Sequence, residues 1–329
     1  MNRNFITFSK NVFLPLTTVC RNRCGYCCFR TPVTEHCILL PDEVERTLTA
    51  GAVRGCTEAL FTFGERPEEE PGFNAVIKRA GYDNILQYCH DMCERSIEAG
   101  LLPHTNAGIM TAEELEYLKP VNASMGLMLE TTADIPAHHN SPGKKPEDRI
   151  EMIVNAGRLK IPFTTGLLLG IGETMQDREE SLMVIRDLHK RYGHIQEVII
   201  QNFCPKPGTP MGSRQVISFD EMCVVIRVAR DYLPDEVAIQ VAPNLADAAS
   251  LIPCGVDDLG GISPLTIDYV NPEHPWPEED ALRRSAGNYV LLERLCIYPQ
   301  FIKKGWYSDE LEPLIKRLIK HLSGQVTVS

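Results

Sequence analysis

Long apolar runs are missing from this sequence. No stretch of its 329 residues approaches the ~18 uninterrupted apolar side chains that a membrane-spanning helix needs. The first ten residues, MNRNFITFSK, lack the apolar core and small-residue cleavage site of an export signal. Basic residues are also in short supply. The 33 Lys and Arg stand against 44 Asp and Glu, and the resulting net charge of −11 excludes the positive footprint of a nucleic-acid-binding surface. The nine histidines contain no H-x-x-x-H pair of the kind that holds one metal ion from a single helix. No internal repeat, low-complexity tract or dividing linker interrupts the chain. These absences lead to the expectation of a soluble, acidic, cytoplasmic protein with no membrane or nucleic-acid partner, built as a single domain over residues 1–329.

Cysteine, in contrast, is plentiful. Twelve thiols in a chain expected to stay in a reducing compartment serve as ligands or as core filler, not as disulfides. Cys20, Cys24 and Cys27 form the pattern C-x-x-x-C-x-x-C, with Tyr26 immediately before the third cysteine. Three thiolates can hold three corners of a cubane 4Fe–4S cluster and leave the fourth iron open, whereas ligation by four cysteines suits electron transfer. The same trio also fits a structural zinc site completed by Cys28, His36 or Cys37. Cys89 and Cys93 share one helix face, and Cys37, Cys56, Cys223, Cys254 and Cys296 are scattered, so these are read as small hydrophobes in the core.

Periodicity alternates short β-type runs with helical ones. Strands are expected at 12–16, 59–63, 101–105, 124–129, 163–169, 197–203 and 237–241, with an eighth placed loosely at 251–262. Most are apolar on both faces, as a parallel sheet covered by helices requires. Capping boxes are expected at Thr111 with Glu114, Ser218 with Glu221 and Thr174 with Asp177. Roughly eight units in about 275 residues match a closed (β/α) barrel. Polar features cluster after the carboxyl ends of the strands, the face on which barrels build their active sites. The barrel is expected over about residues 5–275. A C-terminal helical segment follows over about 276–329, in which Leu311, Leu314, Ile315, Leu318 and Leu322 recur at helical spacing.

Several strand-end residues carry chemistry. Gly64-Glu65 closes the second strand, where glycine permits close backbone approach and a carboxylate can accept from an ammonium group. Glu130 ends the fourth strand, where a carboxylate suits ribose hydroxyls. Arg149, in the next helix, presents a fork matched to a carboxylate. The glycine-rich run from Gly166 through Gly170 to Glu173 sits mid-chain with the wrong spacing for a dinucleotide fingerprint. Gln201, Asn202, Gln240, Asn244 and Asp268 stand where they either read polar edges of a substrate or serve as ordinary strand-end groups. His138-His139 lies in the loop after strand four, where it can meet a substrate.

The cysteine motif with its Tyr26 resembles that of the radical S-adenosylmethionine (radical SAM) superfamily. The resemblance implies that the open iron takes the amino and carboxylate groups of SAM. It also implies that Gly64 and Glu65 bind the SAM amino group, although Phe63 replaces the first glycine of the usual G-G-E. Gly170 and Glu173 would belong to an adenine-lining element, Glu130 to the ribose contacts, and Arg149 would pair with the SAM carboxylate. Longer stretches, among them residues 159–166, 193–203 and 260–273, resemble the first subunit of the 7,8-didemethyl-8-hydroxy-5-deazariboflavin synthase family across nearly the whole chain. That likeness implies a small-molecule substrate, a hydroxybenzyl–ribityl-diaminouracil adduct made by the second deazaflavin synthase subunit, and a low-potential electron donor. A 5′-deoxyadenosyl radical would remove a hydrogen from the adduct, and ring closure would then expel ammonia. Two other readings remain: the partner's adduct-forming step on tyrosine, and a metal-stabilised binding module without turnover.

Overall fold

The computed structural model describes residues 4–326; residues 1–3 and 327–329, the two ends of the expected domain, lie outside the described residues. The strands are β1 (Phe5–Leu14), β2 (Glu58–Thr62), β3 (Leu102–Asn106), β4 (Ser124–Gly126), β5 (Phe163–Leu169), β6 (Ile195–Asn202), β7 (Ala238–Gln240), β8 (Asp258–Ile262) and β9 (Val290–Glu293). The first eight run parallel in sequential order and close on themselves, because β1 pairs with β2 at Val12↔Ala59 and with β8 at Thr7↔Asp258. This is the complete (β/α) barrel that the alternation of elements predicts. The helices are α1 (Pro41–Val53), α2 (Phe73–Arg79), α3 (Ile85–Ala99), α4 (Ala112–Leu118), α5 (Pro146–Arg158), α6 (Met175–Tyr192), α7 (Phe219–Tyr232), α8 (Ala248–Leu251), α9 (Glu279–Ala286), α10 (Pro299–Lys303) and α11 (Glu312–Val326). None of the described helices is long and apolar enough to cross a membrane.

Alternation along each strand separates two environments. Outward residues such as Phe8, Val12, Leu14, Ala59, Phe61, Val198 and Ile200 are buried beneath the helices. Inward residues are largely polar: Ser9 and Asn11 on β1, Glu58 and Thr62 on β2, Glu197 and Gln201 on β6. Helix α3 shows the matching stripe, burying Ile85, Tyr88, Cys89, Met92, Cys93 and Ser96 against the barrel. Cys89 and Cys93 are thus core residues beside Thr105. Thr111 and Thr174 form the expected capping boxes. Ser218 accepts from the Glu221 amide, and no reciprocal bond from the Glu221 side chain is formed.

Three sequence expectations change. β1 begins at Phe5 and not at residue 12, because its Thr7, Ser9 and Asn11 break the apolar pattern, Ser9 and Asn11 lining the barrel and Thr7 bonding Asp258. β4 stops at Gly126 and not at residue 129, and Glu130 touches β5 only through an isolated bridge to Leu167. The C-terminal segment is not purely helical: β9 adds a parallel strand to the lower half of β1, with Phe5 opposite Val290. Directly after β9, Arg294 plugs the bottom of the barrel. Its Nε lies 2.6 Å from Asp258 Oδ2 and its Nη2 lies 2.7 Å from Glu197 Oε2, while the Tyr298 hydroxyl lies 2.9 Å from each of those two carboxylates. Leu311, just before α11, and Leu314, Ile315 and Leu318 of α11 bury their stripe beneath this plug, and Leu322 packs at its margin.

Candidate active site

The cysteine loop follows β1 and is stitched to its neighbours by backbone bonds. The Gly64 amide donates to Thr17 O at 2.9 Å, and the Arg21 amide donates to Glu65 O at 2.9 Å. A Cβ on Gly64 would sit 1.9 Å from the Val19 carbonyl oxygen, so only glycine lets the loop after β2 lie this close to the cysteine loop. Farther along, Gly25 N donates to Ala137 O at 2.8 Å and Arg23 N to Asn140 O at 3.2 Å, tying the loop to the segment after β4. The Glu65 amide donates to Cys20 Sγ at 3.3 Å and Ser141 Oγ to Cys24 Sγ at 3.3 Å. Burial pushes the Cys20 and Cys24 thiols up, with nearby Lys144 opposing the shift at Cys24.

Cys20, Cys24 and Cys27 line one cavity of about 350 Å³ at the carboxyl end of the barrel, together with Gly64, Glu65, Glu130, Arg149, Gln201 and Asn202. Apolar walls come from Phe63, Leu127, Met128, Leu168, Ile199 and Phe203. Glu65 is buried with Oε1 2.9 Å from Arg21 Nε and Oε2 3.0 Å from the Ile109 amide. Glu130 sits at φ 66°, a left-handed conformation that is uncommon for a non-glycine residue and recurs at functional sites. Its carboxylate takes bonds from the Tyr26 hydroxyl and the Lys144 ammonium, and lies 3.0 Å from His138 Nε2 and 3.7 Å from Arg149 Nη2. Burial opposes ionisation of Glu130, yet Lys144, His138 and Arg149 together hold its carboxyl well below the usual range. Arg149 spends part of its fork on backbone, donating Nε to Met128 O at 2.7 Å and Nη1 to Gly143 O at 2.8 Å.

Two of the three zinc alternatives stand apart from the motif cysteines, and Cys28 shares their cavity. His36 and Cys37 line a different cavity, beside Pro15, Thr18 and Leu40, and Cys28 is exposed with its thiol 3.6 Å from Val270 O. The thiols facing the main cavity are the three motif cysteines with Cys28 and Cys204 beside them; the motif trio and the neighbouring buried carboxylate fit an iron–sulfur cluster with one open corner.

The radical SAM superfamily profile matches residues 14–185, just over half of the chain. The 7,8-didemethyl-8-hydroxy-5-deazariboflavin synthase of Methanoculleus marisnigri is 68% identical over 323 residues, covering 98% of each chain. That of Archaeoglobus fulgidus is 53% identical over 315 residues, covering 95% of this chain and 96% of its own. The chain belongs to this radical SAM family. Membership of the superfamily brings with it, in general, a 4Fe–4S cluster and SAM. Solved structures similar in fold include HydG, a maturase of the FeFe-hydrogenase, with a TM-score of 0.69, 16% identity and coverage of 96% of this chain and 69% of that one. Methylornithine synthase is another, with a TM-score of 0.61, 17% identity and coverage of 97% and 82%.

Other residues singled out from sequence are placed differently. Gly170 and Glu173 are absent from the cavity lining. Glu173 folds back to accept the amides of Gly170, Ile171 and Gly172 at 2.7, 2.8 and 3.0 Å, and Arg178 Nε at 2.8 Å, so its carboxylate is committed to building the turn after β5. Gln240, Asn244 and Asp268 line a second chamber deeper in the barrel, which Gln201 shares. Asp268 is occupied with its own loop, accepting from the Val270 and Asn271 amides at 2.9 and 3.0 Å and from Asn244 Nδ2 at 2.9 Å. Sequence pattern carries no signal for Lys144, which sits in the polar run PGKKP, nor for Arg21 as the partner of Glu65. A histidine pair in the loop after β4 was the only hint of His138.

Proposed function

We propose that this chain binds a 4Fe–4S cluster through Cys20, Cys24 and Cys27 and SAM beside it, and that it cyclises a hydroxybenzyl–ribityl-diaminouracil adduct to 7,8-didemethyl-8-hydroxy-5-deazariboflavin with loss of ammonia. The observation that carries the reading is the convergence of the three motif thiols, Glu65 and Glu130 on one cavity at the mouth of the barrel. A cluster held by Cys20, Cys24 and Cys27 with SAM beside it would supply one-electron reductive cleavage of SAM and hydrogen abstraction from the substrate. The chain's own part is to orient and to shield. Glu65 uses only one bond at each oxygen for Arg21 and Ile109, which leaves lone pairs for an ammonium group. Arg149 retains hydrogens on both Nη atoms for a carboxylate, and Glu130 faces the ribose. Gly170 and Glu173 act indirectly, by fixing the turn after the strand that carries Leu168 into the wall. Phe63, Leu127, Met128 and Phe203 keep water from a reactive carbon centre. Gln201, Asn202, Gln240, Asn244 and Asp268 receive the polar parts of the adduct.

In this reading the chain works as one domain in the cytoplasm, takes its electron from a low-potential donor, and receives its substrate from the adduct-forming subunit. The test is anoxic. Reconstituted protein is given reductant, SAM and either the adduct or free tyrosine, and deoxyadenosine and the fluorescent deazaflavin are measured. Deazaflavin from the adduct is the expected result. Deoxyadenosine formed with tyrosine, and none with the adduct, would overturn the assignment in favour of the adduct-forming step.

A further inference from the structure

Three polar atoms in the deeper barrel chamber have no hydrogen-bond partner: Asn11 Oδ1, Asn244 Oδ1 and Trp276 Nε1. All three residues line the same space of about 200 Å³, and Asn11 is only 1% exposed. A buried polar group left unpaired costs ~1–3 kcal/mol, so native folds seldom gather three of them in one place without something to complete them. Each is put there by a separate part of the chain. Asn11 is an inward position of β1. The Asn244 amide is oriented by bonds from its Nδ2 to Asp268 Oδ2 at 2.9 Å and His274 O at 3.1 Å, which leave Oδ1 free. Trp276 arrives from the proline-rich segment after β8.

We propose that this chamber holds the neutral polyol arm of the substrate while the ring end occupies the cysteine-lined cavity above. The inference rests on the function proposed above and deepens it. Two orphaned acceptors and one orphaned donor suit hydroxyl groups, which both give and accept, better than an ammonium or a carbonyl, which does only one. The volume equals that of roughly six or seven liquid waters, room for a short hydroxylated chain. Glu58, Glu197 and Asp268 line the chamber against a single lining guanidinium, Arg294, which Glu197 already engages, so a phosphate or carboxylate on the chain finds acidic groups and no free cation there. The two spaces share Thr62, Asn106 and Gln201, so one molecule can reach through both. Hydroxyls of matching geometry supply the partners that these three atoms lack.

The experiment measures binding, without reductant, to wild type, Trp276→Phe and Asn11→Leu. Phe keeps an aromatic ring and removes the N–H, and Leu keeps the branched outline of the amide without its polar atoms. The ligands are the ribityl adduct, an analogue with an unhydroxylated pentyl chain, and a chain-phosphorylated adduct. Each variant is expected to weaken the ribityl adduct roughly three- to tenfold and to leave the pentyl analogue unchanged, and the phosphorylated adduct should bind wild type more weakly than the neutral one. Unchanged ribityl binding in both variants, equal loss of both ligands, or tighter binding of the phosphorylated chain would each overturn the assignment. The wild-type assay for deazaflavin is read separately. Its failure removes the proposed reaction, whereas product formed by wild type together with unselective variants removes only the polyol chamber.

Discussion

Gly143 lies against Glu65 so closely that a Cβ on it would sit 1.6 Å from the carboxylate Oε1. Gly108 closes the other side, with a Cβ position 2.5 Å from Glu65 Cγ. The buried carboxylate beside the cysteines is therefore set by two backbone walls, one from the loop after β3 and one from the turn before α5, as well as by Arg21.

Gly143→Ala tests that packing. The residue does not have positive φ, so the substitution is sterically directed at Glu65 and leaves the backbone permitted. SAM affinity, measured by equilibrium dialysis on reconstituted protein, should fall by about tenfold or more, since a displaced ligand group loses a charge-assisted bond. Iron content should stay at the wild-type level. Unaltered SAM binding would show that Glu65 is not a contact.

Cys24→Ala should abolish both iron retention and deoxyadenosine formation after anoxic reconstitution. Cys223→Ser, a buried cysteine remote from the motif, should leave both intact. Metal analysis that finds zinc in place of iron in the wild type would remove the cluster.

Glu130→Gln leaves Lys144 and Arg149 beside a neutral amide in a buried site, a change of ~3–5 kcal/mol in unfolding free energy. The sign of the pH dependence follows from the lowered folded pKa. The stabilisation is present above the unfolded carboxylate value of 4.5 and is lost as pH falls through the lower folded value. Denaturant titrations below pH 4.5 should show wild type losing stability on acidification and the variant losing less.

Glu58 behaves in the opposite sense. Burial, only partly offset by Arg294 and the Ser9 hydroxyl, raises its carboxyl from 4.5 to about 7. A raised folded pKa means that the native state holds the proton more tightly, so this group's stabilising contribution falls as pH rises from 4.5 to about 7. The whole effect is on the order of 3 kcal/mol. Glu58→Gln should flatten that slope in denaturant titrations, and an unchanged slope would assign it to other groups.

Legibility from sequence followed the range of the interactions. The barrel, six strands within a few residues, the capping threonines and the three cysteines all rest on local periodicity or short spacing, which neighbouring residues determine. β9 escaped because four residues, one exposed, one buried and two half-buried, carry no distinctive period, and its strand character comes only from pairing with β1 at the far end of the chain. Glu173 had looked like a ligand contact. The structure turns it onto its own turn, because three amides and Arg178 lie nearer than any cavity.

The order of residues alone put the three motif thiols at the mouth of a parallel barrel, because a motif of eight residues and alternating β and α units are properties of contiguous chain. Tertiary structure alone decided which polar groups face that centre and which are spent on scaffolding. Arg21 meets Glu65 across 44 positions, Arg294 meets Glu197 across 97, and Asn11 and Trp276 share a chamber only because the sheet closes. Such pairings depend on how strands register around a ring, and no local pattern encodes that.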